Sequence, residues 1–260
     1  MNLILGVAAG YKWQDLKIFI KSIRKYFDDE VVLILNNPDT ELIEGLKKYS
    51  IKYENTNILP KESFYLRYKY YYNFLKQNKF ENILITDTRD VFFQDNPFNF
   101  DYSKELNFFL EDEIIENSTI NSKWIKRTVG KKGLDQIKKN KISCCGQVIG
   151  NYAGILDYCD KMKNKIIEHK YKPSLHSLFF RRKIFGWDQG IHNYLVHSNF
   201  FKNIDFFDNK HGDIATIHYS GDFNFDDEDN SLNKNKKKYS IVHQYDRFPS
   251  IFEKSLTKFL

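Results

Sequence analysis

The 260-residue chain predicts an α/β fold on a mostly parallel central sheet, and three observations carry that prediction. Apolar, strand-like runs alternate with helix-like periodic segments through the first hundred residues. The runs are nearly continuous in Leu, Ile and Val, as expected of parallel strands covered on both faces. The segments between them are long enough for the right-handed crossovers that parallel pairing needs.

Leu3 to Ala8 is the first such run. After Gly10 an apolar stripe of Trp13, Leu16, Ile20, Ile23 and Phe27, spaced at three and four, predicts a helix. Val31 to Leu35 is a second strand, closed by Asn36-Asn37-Pro38, and a helix from Thr40 to Tyr49 leads to a short strand at Ile51 to Tyr53. A further helix spans Lys61 to Gln77, and Asn82 to Thr86 is a fourth strand. In the less regular second half, Leu106 to Leu110 and Ile142 to Gly150 read as strands. Ile155, Cys159, Met162 and Ile166 mark one helix, and Trp187 to His197 another. Residues 115 to 141 are polar, basic and weakly periodic, which predicts a lid or an insertion on the acceptor side. Ile214 to Tyr219 and Tyr239 to His243 are late strands. The polar stretch from Asp222 to Lys238 between them predicts a solvated loop. We expect one domain over 1–260, with a nucleotide-binding half (1–100) and a second half (101–260) for donor sugar and acceptor.

Composition narrows the classes. Apolar residues are 42% and charged residues 28%, which supports a real core and argues against global disorder. A net charge of +6 favours anionic ligands such as nucleotide diphosphates or acidic lipid headgroups but is too small to argue for nucleic acid. Three cysteines, two of them adjacent, make no disulfide framework, so reduced thiols are expected. No run of 18 apolar residues exists, and the N-terminal run lacks a cationic leader. The expectation is a cytoplasmic protein without a membrane span, with docking to a membrane surface left open.

Parallel sheets bind ligands beyond the carboxyl ends of their strands. Two such ends stand out: Ala8-Ala9-Gly10 and Asp87-Thr88-Arg89-Asp90. Two carboxylates three positions apart, where an apolar strand leaves the sheet, suit a hard divalent cation such as Mg²⁺ that shares its shell with phosphates. The competing account is a turn or helix cap made by Asp87.

The order of these parts resembles the GT-A-type glycosyltransferases, whose strand-terminal Asp-x-Asp binds the metal of a nucleotide-sugar. Asp90-Val91-Phe92-Phe93-Gln94-Asp95-Asn96-Pro97-Phe98 is similar to the stretch after that motif in glycosyltransferase family eight. Here Thr88 follows the first aspartate, giving Asp-x-x-Asp, so Asp90 matches the family better than Asp87 does. Three more segments follow in the family's order. Tyr65-Leu66-Arg67 resembles a segment whose arginine faces the donor, and Arg67 then holds phosphate or else forms an ion pair. Cys145-Gly146-Gln147 sits where the family has a small-residue strand under the sugar, so Gly146 would permit close backbone approach, while Cys144 and Cys145 read as buried structural cysteines. Trp187-Asp188-Gln189-Gly190-Ile191-His192-Asn193 resembles the Asp-Gln segment that closes the donor pocket. The resemblance gives Asp188 the sugar hydroxyls and Gln189 the anomeric centre, although Asp188 also suits a helix N-terminus by charge alone. His192 and His197 on that helix are expected to pack or face solvent.

Family members often add a late histidine to the metal shell. His218-Tyr219-Ser220-Gly221 resembles one form of that segment. Val242-His243-Gln244-Tyr245-Asp246-Arg247 resembles a longer ending in poorly characterised relatives, which favours His243 and keeps His218 in reserve. The resemblance implies Mn²⁺ or Mg²⁺ bound by Asp87, Asp90 and His243, uridine near Ala8, Gly10 and Tyr11, and a UDP-sugar as donor. The acceptor would be a glycan, a protein or a lipid-linked hydroxyl, with retention of configuration favoured over inversion. Two other functions are weighed beside this one. A sugar-phosphate nucleotidyltransferase would need a Gly-rich loop after the first strand, where this chain has a single glycine. A non-catalytic binder of nucleotide-sugars or nucleic acid has only the lysines at 234 to 238 in its favour.

Overall fold

The computed structural model describes residues 1–171, 185–217, 224–233 and 235–259. Along the chain the strands are β1 (Leu3–Val7), β2 (Glu30–Leu35), β3 (Lys52–Asn55), β4 (Asn82–Thr86), β5 (Val91–Phe93) and β6 (Leu106–Ile114). They continue as β7 (Lys141–Asn151), β8 (Ile204–Asp208), β9 (Ile214–Thr216), β10 (Asn224–Phe225), β11 (Ser231–Leu232) and β12 (Ile241–His243). The helices are α1 (Trp13–Tyr26), α2 (Thr40–Lys48), α3 (Ser63–Gln77), α4 (Thr119–Ile137), α5 (Tyr152–Tyr171), α6 (Trp187–His197) and α7 (Pro249–Phe259).

Seven strands form the central sheet in the order β3-β2-β1-β4-β7-β6-β8. β1 to β4 are parallel to one another, β7 runs antiparallel to both β4 and β6, and β8 is parallel to β6. The fold is therefore mixed α/β with a mostly parallel central sheet. Alternation along each strand sorts the core into two layers. Leu3, Leu5, Val32, Ile34, Ile83 and Ile85 pack under α3, α5 and α6. Ile4, Leu33, Leu35 and Leu84 pack against α1 and α2 on the other face. The continuous apolar runs are thus explained: both faces of β1, β2 and β4 are covered.

A second sheet, β5-β12-β9, lies beyond the end of β4. β12 is antiparallel to β5 and parallel to β9, and α7 covers it through Ile251 and Phe259. This sheet joins residues more than 120 positions apart in the sequence, so no local signal announces it. His218 and Tyr219, expected at the end of the β9 run, lie outside the described residues.

Two segments are more ordered than their sequence pattern suggests. Residues 115 to 141, expected as a lid or acceptor-side insertion, are mostly helix. α4 buries Ile125 and Ile137 with Ile115 and Ile142, and Val129 and Leu134 pack against them. Gly130, at φ 82 and ψ 177, breaks the helix in the middle, which shifts the apolar stripe and hides its period. In the stretch from Asp222 to Lys238, the described residues are not simply solvated. Gln94, fully buried, donates to Ser231 O and Tyr239 O and accepts from Ser231 N, so the β10–β11 pair is tied to the second sheet. Among the described residues no helix is long and apolar enough to cross a membrane.

Candidate functional site

A cavity of about 450 Å³ opens at the carboxyl ends of β1 and β4, where a parallel sheet leaves its strand ends free for ligands. Of the loop after β1, Ala9 and Tyr11 line it. Ala8 does not: its side chain is buried in the α1–α2 core layer. Gly10 is exposed and adopts a left-handed backbone (φ +78), and a Cβ there would lie 2.5 Å from Pro60 Cγ. Its glycine serves the turn, not the cavity.

The Asp87–Asp90 turn is pinned at both sides. Thr88 donates its hydroxyl to Val7 O and sits over Gly6, where a Cβ would lie 2.5 Å from the Thr88 methyl. Asp87 N donates to Gly146 O at 2.7 Å, and Gln244 N donates to Asp90 O at 2.6 Å. No helix follows Asp87; the chain enters β5, so Asp87 is not a cap. Its carboxylate instead meets Arg67 Nη1 at 2.5 Å.

His243 arrives by sheet pairing. In the β5–β12 ladder it stands opposite Val91, the residue after Asp90. Its Nε2 lies 3.4 Å from Asp87 Oδ2 and 3.8 Å from Asp90 Oδ1, and it makes no hydrogen bond although it is buried. On the other side of the ring, Nδ1 approaches Cys144 Sγ at 3.6 Å. One oxygen from each aspartate and one imidazole nitrogen lie within 4.8 Å of each other. Buried polar atoms are normally paired, so an orphaned ring nitrogen facing two carboxylates fits a cation that would complete all three. The oxygen-and-imidazole set suits Mn²⁺ better than Mg²⁺, which prefers oxygen alone. Gly146 is what lets the three converge: a Cβ there would overlap Asp87 Oδ2 and lie 2.7 Å from His243 Cε1.

The electrostatics divide the two acids. Burial pushes the Asp87 carboxyl up, but the Arg67 guanidinium and His243 outweigh it and hold it well below the carboxylate range. Burial raises Asp90, opposed by His243 and reinforced by Asp87. Burial opposes a charge on His243, yet Cys144 and the two aspartates hold its proton above the ordinary range. A metal held by these residues would have to displace that proton. Cys144 and Cys145 are raised by burial and remain thiols, in keeping with a structural role.

Arg67 reaches the site from α3. Besides Asp87 it holds Asp188 Oδ2 through Nη2 at 3.1 Å and donates to Cys145 Sγ at 3.2 Å. Of the two roles open to it, the ion pair is the one observed. Asp188 begins a row of polar side chains by which α6 grips β7. The β6–β7 register shifts between Phe108 and Leu110, and pairing with β4 ends at Gln147, so part of the β7 backbone turns to α6 for partners. Gln189 accepts from Cys145 N and donates to Ser143 O and Asn121 Oδ1. Asn193 accepts from Ser143 N and donates to Ser143 O. His192, its pKa driven far down by burial, bridges the Ser143 and Tyr158 hydroxyls at 2.8 Å each. Both amide protons of Gln189 are thus occupied within the protein; the side chain borders the cavity but holds β7 in place. His197 packs, as expected, with Nε2 near Lys141 O and its ring stacked on Phe206.

Several lining residues carried no sequence signal of their own. Glu111 on β6 is buried, which raises its carboxyl to about 7, with His243 and Arg247 pulling the other way. Arg247, four residues after His243, lines the cavity without an ion pair among the described residues. Its place inside the Val242–Arg247 segment was the one available hint. Arg89 pairs with Asp246 at 2.9 Å. Phe64, Trp124 and Phe185 form an aromatic wall, with Phe185 edge-on to each of the other two. Trp124 lies so close to Gly186 (φ +81) that a Cβ there would overlap its ring. No family model matches the chain, and no curated protein matches it in sequence.

Proposed function

We propose that the chain is a metal-dependent glycosyltransferase of the GT-A type, moving a sugar from a nucleotide-diphosphate donor, a UDP-sugar, to a hydroxyl acceptor. One observation carries the proposal: two strand-end carboxylates and an orphaned imidazole nitrogen converge beside a cavity at the carboxyl edge of a mostly parallel sheet. Asp87, Asp90 and His243 would hold Mn²⁺, which supplies charge neutralisation for a departing diphosphate. Arg67 orients Asp87 and Asp188 in this reading, and the phosphate contact passes to Arg247, which lines the cavity and forms no ion pair among the described residues. Asp188 takes the donor sugar's hydroxyls, and the aromatic wall bounds the acceptor side. The nucleotidyltransferase alternative is disfavoured by a loop after β1 with a single glycine.

The direct test is hydrolysis of UDP-sugars by purified protein with Mn²⁺ and with EDTA. Asp90→Ala should lower the rate roughly a hundredfold or more while the folded state survives. Hydrolysis that ignores EDTA, or a folded variant with full activity, removes the proposal. Pyrophosphate release from UTP and a sugar phosphate would favour the nucleotidyltransferase.

A further inference from the structure

The first part of α4 carries a run of cations uninterrupted by acids. From Thr119 to Gly133 it carries Lys123, Lys126, Arg127, Lys131 and Lys132 and no acidic residue. All five are exposed, and none forms an ion pair among the described residues. Lys138 and Lys139 at the end of the same segment pair with Asp135 and Glu116, and Lys161, Lys163 and Lys165 on α5 each meet an acid.

At ~100° per residue, Ile120, Lys123, Trp124 and Arg127 share one arc of the helix, opposite Ile125. Ile120 is 53% exposed and Phe185 66% exposed, and both line the cavity mouth. On the α3 side of the mouth, Leu59 is 43% exposed and Lys61 is exposed, flanking Pro60, which also lines the cavity. Exposed aliphatic side chains set among unpaired cations are the signature of an interfacial surface: the cations meet anionic headgroups and the apolar tips enter the acyl boundary. A polynucleotide would use the cations equally well. It offers nothing to Ile120 and Leu59, which cannot stack on bases.

We propose that the cavity mouth docks on an anionic lipid bilayer through the outer face of α4, with Ile120, Phe185 and Leu59 as the inserted apolar tips. The docking does not depend on the activity proposed above. Its corollary does: on that reading, a mouth held against the bilayer receives an acceptor hydroxyl presented by a lipid.

Co-sedimentation of the full chain with vesicles tests it. Vesicles of phosphatidylcholine with about a third phosphatidylserine should retain the protein, and pure phosphatidylcholine should not. Added salt should weaken retention. The triple variant Lys123→Ala, Lys126→Ala, Arg127→Ala should bind roughly a hundredfold less tightly. Ile120→Ser should weaken binding that persists in salt. These positions are exposed, and an unchanged melting temperature and Mn²⁺ affinity in the triple variant show that fold and metal cluster are untouched. Absence of retention by anionic vesicles, or equal retention of the triple variant, overturns the proposal. So does RNA binding that is tighter than vesicle binding at the same salt and lost in the same variant, which would make α4 a nucleic-acid face. Failure of UDP-sugar hydrolysis leaves the vesicle result standing and removes only the corollary.

Discussion

Two buried polar regions lie side by side in this molecule and are built on opposite terms. Between α6 and β7, the side chains of Gln189, His192 and Asn193 find partners within the protein, and they serve as the missing neighbour of an irregular strand. At the β4 end, Asp90 is pushed towards protonation and His243 Nε2 has no hydrogen bond. A satisfied network fixes architecture, whereas an unsatisfied one leaves buried polar groups open to a further partner. Arg67 joins the two, one amino group on Asp87 and the other on Asp188.

Breaking the link should have the largest effect on stability. Arg67→Met leaves two carboxylates without their cation, and we expect a loss of about 3–5 kcal/mol in denaturant unfolding. A loss below about 1 kcal/mol would mean that the pair is ornamental. The next effect depends on pH. Glu111 titrates near 7 in the folded chain and near ~4.3 in an unfolded one. The folded state therefore binds the extra proton between these values, and stability falls as pH rises through that window, by on the order of 3 kcal/mol at its end. Glu111→Gln should remove this slope and raise the melting temperature at pH 8 more than at pH 5. Equal shifts at both pH values would refute the assignment.

Smaller still is Gln189→Ala, which orphans Cys145 N and should cost about 2 kcal/mol. If the amide is architectural, Mn²⁺ affinity should barely move. The least stability change belongs to Asp90→Ala, within about 1 kcal/mol of the parent, together with the loss of Mn²⁺ binding measured by calorimetry. That inversion, a costly Gln189 beside a nearly free Asp90, is what the comparison of the two regions requires.

The same division explains what was legible from residues alone. The Asp188–Asn193 segment announces polar chemistry, yet polar side chains that repair a backbone look the same in sequence as side chains awaiting a sugar. It was the family resemblance that assigned Gln189 to the anomeric centre. Ala8 and Gly10 were named from their place after β1, but strand alternation turns Ala8 into the core and the turn geometry claims Gly10. Glu111 went unseen because one acid within Glu111-Asp112-Glu113 carries no mark of the burial that raises it.

By itself the sequence determined the strands β1 to β4, the helices between them and the strand end at which to look, because continuous apolar runs and three-and-four spacing are local consequences of burial. It also singled out Asp87, Asp90 and His243. Only the tertiary structure decided that these three meet: the β5–β12 ladder brings His243 across more than 150 residues, and Gly146 leaves them the room. Pairing between distant strands is governed by register and packing, which no window of the chain contains.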